Sequence, residues 1–331
     1  MNSRNLELGV TEQSWPLDKP FRIARGTRTE ARVIVVKVSD GQHTGRGEAV
    51  PCARYGETVA STIAQLEQIF SKGTVGIDRQ QIQKLLPAGA ARNALDCALW
   101  DLEARFSGKR AWQLASIQIV DVVETALTIS LDTPEKMAAA AKVKKCAPIL
   151  KLKLGGDNLD LPRVEAVRQE APAARLLVDA NESWSPSHYR NIASALCGLG
   201  VELIEQPFPA DADDVLETLD HPVPVCADES CHTTADLAHL VNRYEAINVK
   251  LDKTGGLTEA LLLTDRARQS ELKLLIGCMV CTSLGIAPAR LLATAADYVD
   301  LDGPLLLAGD RHHGLLYHGG KVGMPSRELW G

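Results

Sequence analysis

Within the first 55 residues short apolar runs alternate with turns. Residues 32–38 (RVIVVKV) are apolar and β-branched, and after Gly41-Gln-His-Thr-Gly45 a second run ends at Glu48-Ala-Val50, which predicts strands. The pattern then changes to helical spacing over 57–70 and 90–106, where Ala94, Leu95, Ala98, Leu99 and Leu102 share a face. Strands followed by helices make a small α+β unit. From about residue 123 the texture is strict alternation. Strands are predicted near 125–130, 149–153, 175–180, 201–205, 223–228, 246–250, 273–278 and 298–302, with helices near 134–146, 160–170, 187–198, 211–219, 234–241, 256–268 and 283–295. Charged residues close these strands: Lys153, Asp179, Glu205, Asp228, Lys250 and Asp302, at intervals of 22 to 26 residues with one double interval before the last. Eight evenly spaced βα units suit a closed parallel barrel. An open doubly wound sheet alternates similarly, but GxGxxG is missing. The expected fold class is therefore α/β: an α+β unit over 1–120, a (β/α)8 barrel over 121–303, and a tail over 304–331 that packs back on the first unit.

Composition narrows the class further. The chain has 331 residues, 45% hydrophobic and 24% charged, as in an ordinary soluble protein, so disordered, collagen-like and coiled-coil readings fall away. A net charge of −6 gives no positive field to gather nucleic acid or anionic lipid. No apolar run approaches the roughly 18 residues of a membrane span, and the first residues lack a basic segment followed by an apolar block, so no signal peptide is read. Eight scattered cysteines make no disulfide framework. The expectation is a cytoplasmic protein with a small-molecule substrate and neither nucleic acid nor membrane as partner.

Barrel catalysis takes place at the C-terminal rim, so charged strand ends are the candidates for chemistry. Asp179 in LLVDANESW, Glu205 in LIEQP and Asp228 in VCADES end successive strands. Three carboxylates in one enclosed space repel each other unless a cation sits among them, and hard oxygen ligands with positions left for water or substrate suit Mg²⁺. Lys151-Leu-Lys153 ends the second strand, with both lysines on one face by alternation, and Lys250 in INVKLDKTGGL ends the sixth. In an eight-membered ring those strands are opposite, so Lys153 and Lys250 are expected to face each other across the mouth. A divalent cation, a neighbouring ammonium such as Lys151 and partial desolvation all favour a neutral, proton-accepting lysine. A metal beside a carboxylate acidifies its α-C–H; one amine then removes a proton and an opposed ammonium returns one to the other face. The reaction class is 1,1-proton transfer, racemisation or epimerisation.

The ordered set KLK, DANESW, EQP, ADES and NVKLDKTGGL resembles the enolase superfamily, muconate-lactonizing subgroup, along nearly the whole chain from PLDKPF through ARNALDCALWDL to the last strand. The resemblance implies a modified TIM-type barrel under an N-terminal α+β capping domain whose loops set specificity, one Mg²⁺ per subunit on Asp179, Glu205 and Asp228, and Lys153 with Lys250 as the acid/base pair. The Asp-x-Asp of Asp300 and Asp302 in VDLDGPLLL resembles the anchor that dipeptide epimerases use for the free α-ammonium. This implies epimerisation of L-Ala-D-Glu to L-Ala-L-Glu through an enediolate, in murein peptide breakdown. By the same resemblance Lys151 binds the substrate carboxylate, Thr128 and the segment Cys278-Met-Val280 line the dipeptide, and Asn181 and Glu229 orient ligands. Arg25 in IARGTR is the candidate partner for a glutamate γ-carboxylate, in competition with Arg22 and Arg28, and Arg54-Tyr55 lies in a second cap loop. Many members of the subgroup carry Glu where Cys281 stands. Cys278 and Cys281 form a CxxC without a second pair or a nearby His, which argues against zinc. His312 and His313 read as a surface turn. Another dipeptide specificity, an N-acylamino acid racemase or o-succinylbenzoate synthase stay open as same-family alternatives, and a metal-free Schiff-base aldolase or a non-catalytic barrel as others.

Overall fold

The computed structural model describes residues 5–71 and 77–331. Strand β1 (Glu7–Ile23) and β2 (Gly26–Ser39) form a long antiparallel hairpin, which β3 (Thr44–Ala49) extends. Pro16 and Pro20 bracket a break in the β1–β2 register, because proline has no N–H to offer the ladder. Beyond it Phe21–Ile23 pair with residues 26–28, so the hairpin tip carries Arg25. On β2 alternation separates two faces. Ile34, Val36 and Val38 pack with Leu66, Leu95 and Leu99 of the cap, while Val33 and Val35 join the barrel core. Helices α1 (Val59–Ser71), α2 (Arg79–Leu85), α3 (Ala90–Ser107) and α4 (Ala111–Leu114) complete this unit. Helix α3 lies directly on β3: a Cβ at Gly47 would stand 2.1 Å from the Ala94 carbonyl oxygen, so only glycine permits the approach.

After the short β4 (Val122–Glu124) come eight parallel strands: β5 (Ala126–Ile129), β6 (Ile149–Lys153), β7 (Arg175–Asp179), β8 (Val201–Glu205), β9 (Val225–Ala227), β10 (Ala246–Val249), β11 (Lys273–Gly277) and β12 (Tyr298–Asp300). They pair in sequence order, which makes the α/β barrel expected from the alternation. Among the described residues no backbone ladder joins β5 to β12. Side chains tie that seam instead: the Leu301 N–H donates to Thr125 Oγ1 (2.9 Å) and the Thr128 N–H to Asp302 Oδ2 (2.6 Å). The outer layer holds α5 (Pro134–Val143), α6 (Asp160–Glu170), α7 (Pro186–Gly198), α8 (Leu237–Leu240), α9 (Leu251–Thr254), α10 (Leu257–Gln269) and α11 (Ser283–Leu292).

Two expected helices differ. Residues 211–219 form only a 3₁₀ segment, Asp214–Thr218, and 234–241 split into a 3₁₀ turn and α8. Asp213 precedes the first of these but does not cap it. Its carboxylate accepts instead from the Ser230 hydroxyl (2.5 Å), the Tyr244 hydroxyl (2.7 Å) and Arg243 Nη1 (2.8 Å). In the tail, β13 (Tyr317–His318) and β14 (Lys321–Gly323) pair with β4, and the last residues lie on α3, where Trp330 Nε1–H donates to the Cys97 carbonyl (3.0 Å). His312 and His313 are exposed in a turn. Among the described residues no helix is long and apolar enough to cross a membrane.

Polar groups join cap to barrel. Arg92 donates to the Thr254 carbonyl (2.7 Å), and Asp252 Oδ1 accepts from the Val50 N–H (2.8 Å) and from Asn93 Nδ2 (2.9 Å). Burial, with Glu57 and Glu48 nearby, pushes Asp252 up to about 7 from 3.8, despite those two donors. The folded state therefore holds the proton more tightly than the unfolded chain. The stability this gives is complete below about pH 4 and is lost as pH rises to about 7, by on the order of 4 kcal/mol. Asp252→Asn keeps the accepting oxygen and removes the charge. Its melting temperature is expected to exceed the parent's far more at pH 8 than at pH 4.5, where only about 1 kcal/mol has been lost; the same difference at both pH values would refute this assignment.

Candidate active site

One apolar ring closes the barrel floor, with a single residue from each strand: Ala126, Ile149, Leu177, Leu203, Cys226, Ala246, Leu275 and Tyr298. Side chains along a strand return to the same face every second residue. Two positions further on, the ring above must be Thr128, Lys151, Asp179, Glu205, Asp228, Asn248, Gly277 and Asp300. Two further again come Lys153, Lys250 and Asp302. A polar layer thus rests on a dry one, and alternation alone stacks the residues singled out above.

Contacts in this layer are dense and all buried. Lys151 Nζ stands 2.6 Å from Glu205 Oε2, 2.7 Å from Asp300 Oδ2 and 3.4 Å from Asp179 Oδ2. Lys153 Nζ is 2.5 Å from Asp179, and Lys250 Nζ 2.6 Å from Asp228. Lys253, not foreseen from the sequence, donates to Asp228 Oδ1 (2.7 Å) and to the Asn248 carbonyl (2.8 Å). Asn248 Nδ2 donates to Glu205 Oε1 (2.8 Å). A Cβ on Gly277 would lie 2.4 Å from Asn248 Oδ1, so the glycine makes room for that amide.

Charge sorts these groups. Burial alone would raise Asp179, but Lys153 and Lys151 outweigh it and hold the carboxyl down at about 2. Glu205 goes the other way: burial, then repulsion from Asp179, pushes it up to about 7 despite Lys151. Burial opposes the Lys250 charge, but Asp228 and Glu205 keep this ammonium well above the ordinary lysine range, and Asp300 with Glu205 does the same for Lys151. Each of these two ammonium groups touches a carboxylate directly, Lys151 at Glu205 and Asp300 and Lys250 at Asp228.

Above the layer opens a cavity of about 480 Å³, between the barrel mouth and the cap hairpin. Thr128, Lys153, Asn181, Asp228, Glu229, Lys250, Cys278, Val280, Asp300, Asp302 and Arg25 all line it, with Phe21, Ile23, Arg28, Tyr55 and Met279. Lys151, Asp179 and Glu205 lie beneath it. Lys151 is only 1% exposed and stands against Asp300, Glu205 and Asp179 directly under the cavity floor. Asp302 accepts from the Thr128 N–H and hydroxyl, whereas Asp300 Oδ1 is buried without a hydrogen-bond partner. Asn181 Oδ1 and Glu229 Oε2 are likewise buried without one.

The cap meets the barrel through two arginines. Arg25 Nη1 donates to the Asn181 carbonyl and to Glu182 Oε2 (both 3.0 Å), while Nη2 lies 2.7 Å from Glu229 Oε1. Arg54 forks onto both oxygens of Glu182 at 2.7 Å. Glu182, a residue the sequence reading passed over, has φ of +67°, and its backbone bond to Gln206 together with these guanidinium contacts holds the strained conformation. Arg25 reaches the cavity as expected, but its donors serve barrel groups. Cys281 is buried in the core; the adjacent Cys278 thiol and burial push it well above the ordinary thiol range.

Among the described residues no three carboxylate, imidazole or thiol groups converge as a preformed metal cage. One oxygen each of Asp179 and Glu205, and both of Asp228, turn to lysines. The donor set nevertheless suits a hard divalent cation: three wholly buried carboxylates on adjacent strands, one of them driven to about 7 by burial and then by repulsion from Asp179 and Asp228.

Residues 5–115 match the family model described as mandelate racemase / muconate lactonizing enzyme, N-terminal domain, and residues 135–325 that described as enolase C-terminal domain-like. The chain is 47% identical to the L-Ala-D/L-Glu epimerase of Escherichia coli strain K12 over 315 residues, 95% of this chain and 98% of that one. It is 42% identical over 301 residues to an N-acetyl-D-glutamate racemase of a Pseudoalteromonas species, covering 90% and 95%. A crystal structure of an enolase family member from Agrobacterium tumefaciens, with homology to dipeptide epimerases and with sodium and L-Ala-L-Glu bound, superposes with a TM-score of 0.96 at 47% identity, covering 98% of this chain and 100% of that one. With its two domains matched and its barrel rim built of opposed lysines and three acids, the chain belongs to the enolase superfamily, in the mandelate racemase/muconate-lactonizing group, and is one of its racemases/epimerases.

Proposed function

We propose that this enzyme interconverts L-Ala-D-Glu and L-Ala-L-Glu in the breakdown of murein peptides. The observation that carries the reading is Asp300 Oδ1, a buried acceptor without a hydrogen-bond partner, on a residue that lines the cavity beside Asp302. Two carboxylates side by side recognise the free α-ammonium of a dipeptide. Asp179, Glu205 and Asp228 would hold Mg²⁺. When bound, the ion supplies positive charge beside the substrate carboxylate and so acidifies the α-C–H.

The chain's own groups do the rest. Lys153 on β6 and Lys250 after β10 stand four strands apart around an eight-stranded ring, and both line the cavity. The lysine that begins as the amine takes the α-proton. The other, as ammonium, delivers a proton to the opposite face, and the stereocentre inverts. Asp179 and Asp228 hold the two nitrogens in place between turnovers, while Arg25 and Arg54 draw the cap onto Glu182 and Glu229 and keep bulk water from the reacting carbon.

The test is incubation in D₂O with Mg²⁺ and either L-Ala-L-Glu or N-acetyl-D-glutamate. The dipeptide is expected to take up α-deuterium and to appear as both diastereomers. Exchange of the N-acetyl compound alone would remove the ammonium anchor, and with it this assignment.

A further inference from the structure

Beside the catalytic cavity lies a second one of about 550 Å³, between the cap strand β1 and the loop after β5. Phe21, Thr128 and Leu306 line both, so the two spaces meet along that edge. The backbone fixes the junction, since the Leu131 N–H donates to the Arg22 carbonyl (3.0 Å). Four cations line the second space, Lys19, Arg22, Lys136 and Lys144, against two acids, Asp18 and Asp132. Lys136 is paired with Asp132 at 3.1 Å. Lys144 Nζ donates to the Thr128 carbonyl (2.7 Å), while the Thr128 N–H donates to Asp302. A single residue thus carries a carboxylate on one side and an ammonium on the other.

We propose that this groove is a subsite for first-residue side chains longer than the methyl of alanine, and that among these it favours an acidic over a cationic one. The inference rests on the dipeptide reading above. With the α-ammonium on Asp300 and Asp302, the side chain of that residue leaves across the Phe21–Thr128–Leu306 edge. A carboxylate there meets Lys144 and, around it, Lys19 and Arg22. A cationic side chain meets the same three positive charges and is repelled. Exposure of Lys19 and Arg22 makes this preference electrostatic and sensitive to salt.

The measurement is kcat/KM, from α-proton exchange in D₂O followed by NMR, for L-Ala-L-Glu, L-Glu-L-Glu and L-Lys-L-Glu with the Mg²⁺ enzyme. L-Glu-L-Glu is expected to exceed L-Lys-L-Glu at least tenfold. That ratio should fall toward one in about 0.5 M NaCl, where screening reaches only a few ångströms. It should fall likewise in K19E and in K19E/K144Q, the glutamine keeping a donor for Thr128. Ratios are taken within one enzyme sample, so partial loss of fold cancels, and the salt series needs no variant at all. Turnover of L-Ala-L-Glu with a ratio at or below one, or a ratio unmoved by salt, overturns the subsite alone. Absence of exchange from all three dipeptides overturns the dipeptide reading and the subsite together.

Discussion

Lys153→Met and Lys250→Met are each expected to lower kcat/KM for epimerisation by about 10³-fold or more, a loss typical of removing a positioned acid or base. Loss of rate alone would not distinguish a base from a structural lysine, since both are buried against acids. The isotope pattern does. With one lysine gone, the other still removes the α-proton from the diastereomer that faces it and returns deuterium to the same side. Each variant therefore exchanges one diastereomer without inversion and leaves the other untouched, and the two variants choose opposite diastereomers. Methionine keeps the unbranched chain as far as Cε but strips an ammonium from Asp179 or Asp228. Destabilisation of a few kcal/mol accompanies the change, to be read from the melting temperature in parallel. Loss of exchange from the same diastereomer in both variants would disprove the opposed-base arrangement.

Why so much of this site could be read from the chain follows from the barrel's geometry. Strands repeat at 22 to 26 residues and side chains at two, so one apolar ring and one polar ring are written into the sequence in register. Asp179, Glu205, Asp228, Lys153 and Lys250 stand out because a charge at the end of an apolar run has few other uses. Asn248 and Gly277 occupy the same ring, yet an amide and a glycine carry no such signal; a count of two from Ala246 and Leu275 would have found them. Lys253 comes from α9, where the strand period no longer applies, and reaches Asp228 by a close tertiary approach. The cap contributions were hardest to place. Glu182 and Arg54 are brought together by docking one unit on another, and nothing local in either segment encodes that meeting. The expected helix at 211–219 failed for a related reason: Asp213 is claimed by Ser230, Tyr244 and Arg243, which are distant in sequence.

Trp330→Ala is expected to destabilise the enzyme by about 4 kcal/mol, in the range for emptying a buried aromatic site. Trp330 is wholly buried, and its ring belongs to the core shared by Cys97, Trp100 and Ala111 of the cap and by the barrel strands. Its indole N–H donates to the Cys97 carbonyl, in α3, at 3.0 Å. The following residue adds its own ties, since the Gly331 N–H donates to Asp101 Oδ1 (2.8 Å) and its carbonyl accepts from the Ala111 N–H (3.3 Å). Truncation leaves a cavity where cap helix and tail meet and removes the indole's bond to the Cys97 carbonyl. Trp330→Phe restores most of the volume without the donor, so its cost is expected to be smaller by half or more. Alanine should lower the melting temperature by about 6 °C, at roughly 1.5 °C per kcal/mol for a chain of 331 residues. Because α3 also carries Asn93, which reaches Asp252 beside Lys250 and Lys253, the loosened cap should raise KM for the dipeptide more than it lowers kcat. A variant that melts within 2 °C of the parent would show that the tail is not part of the support on which the cap rests.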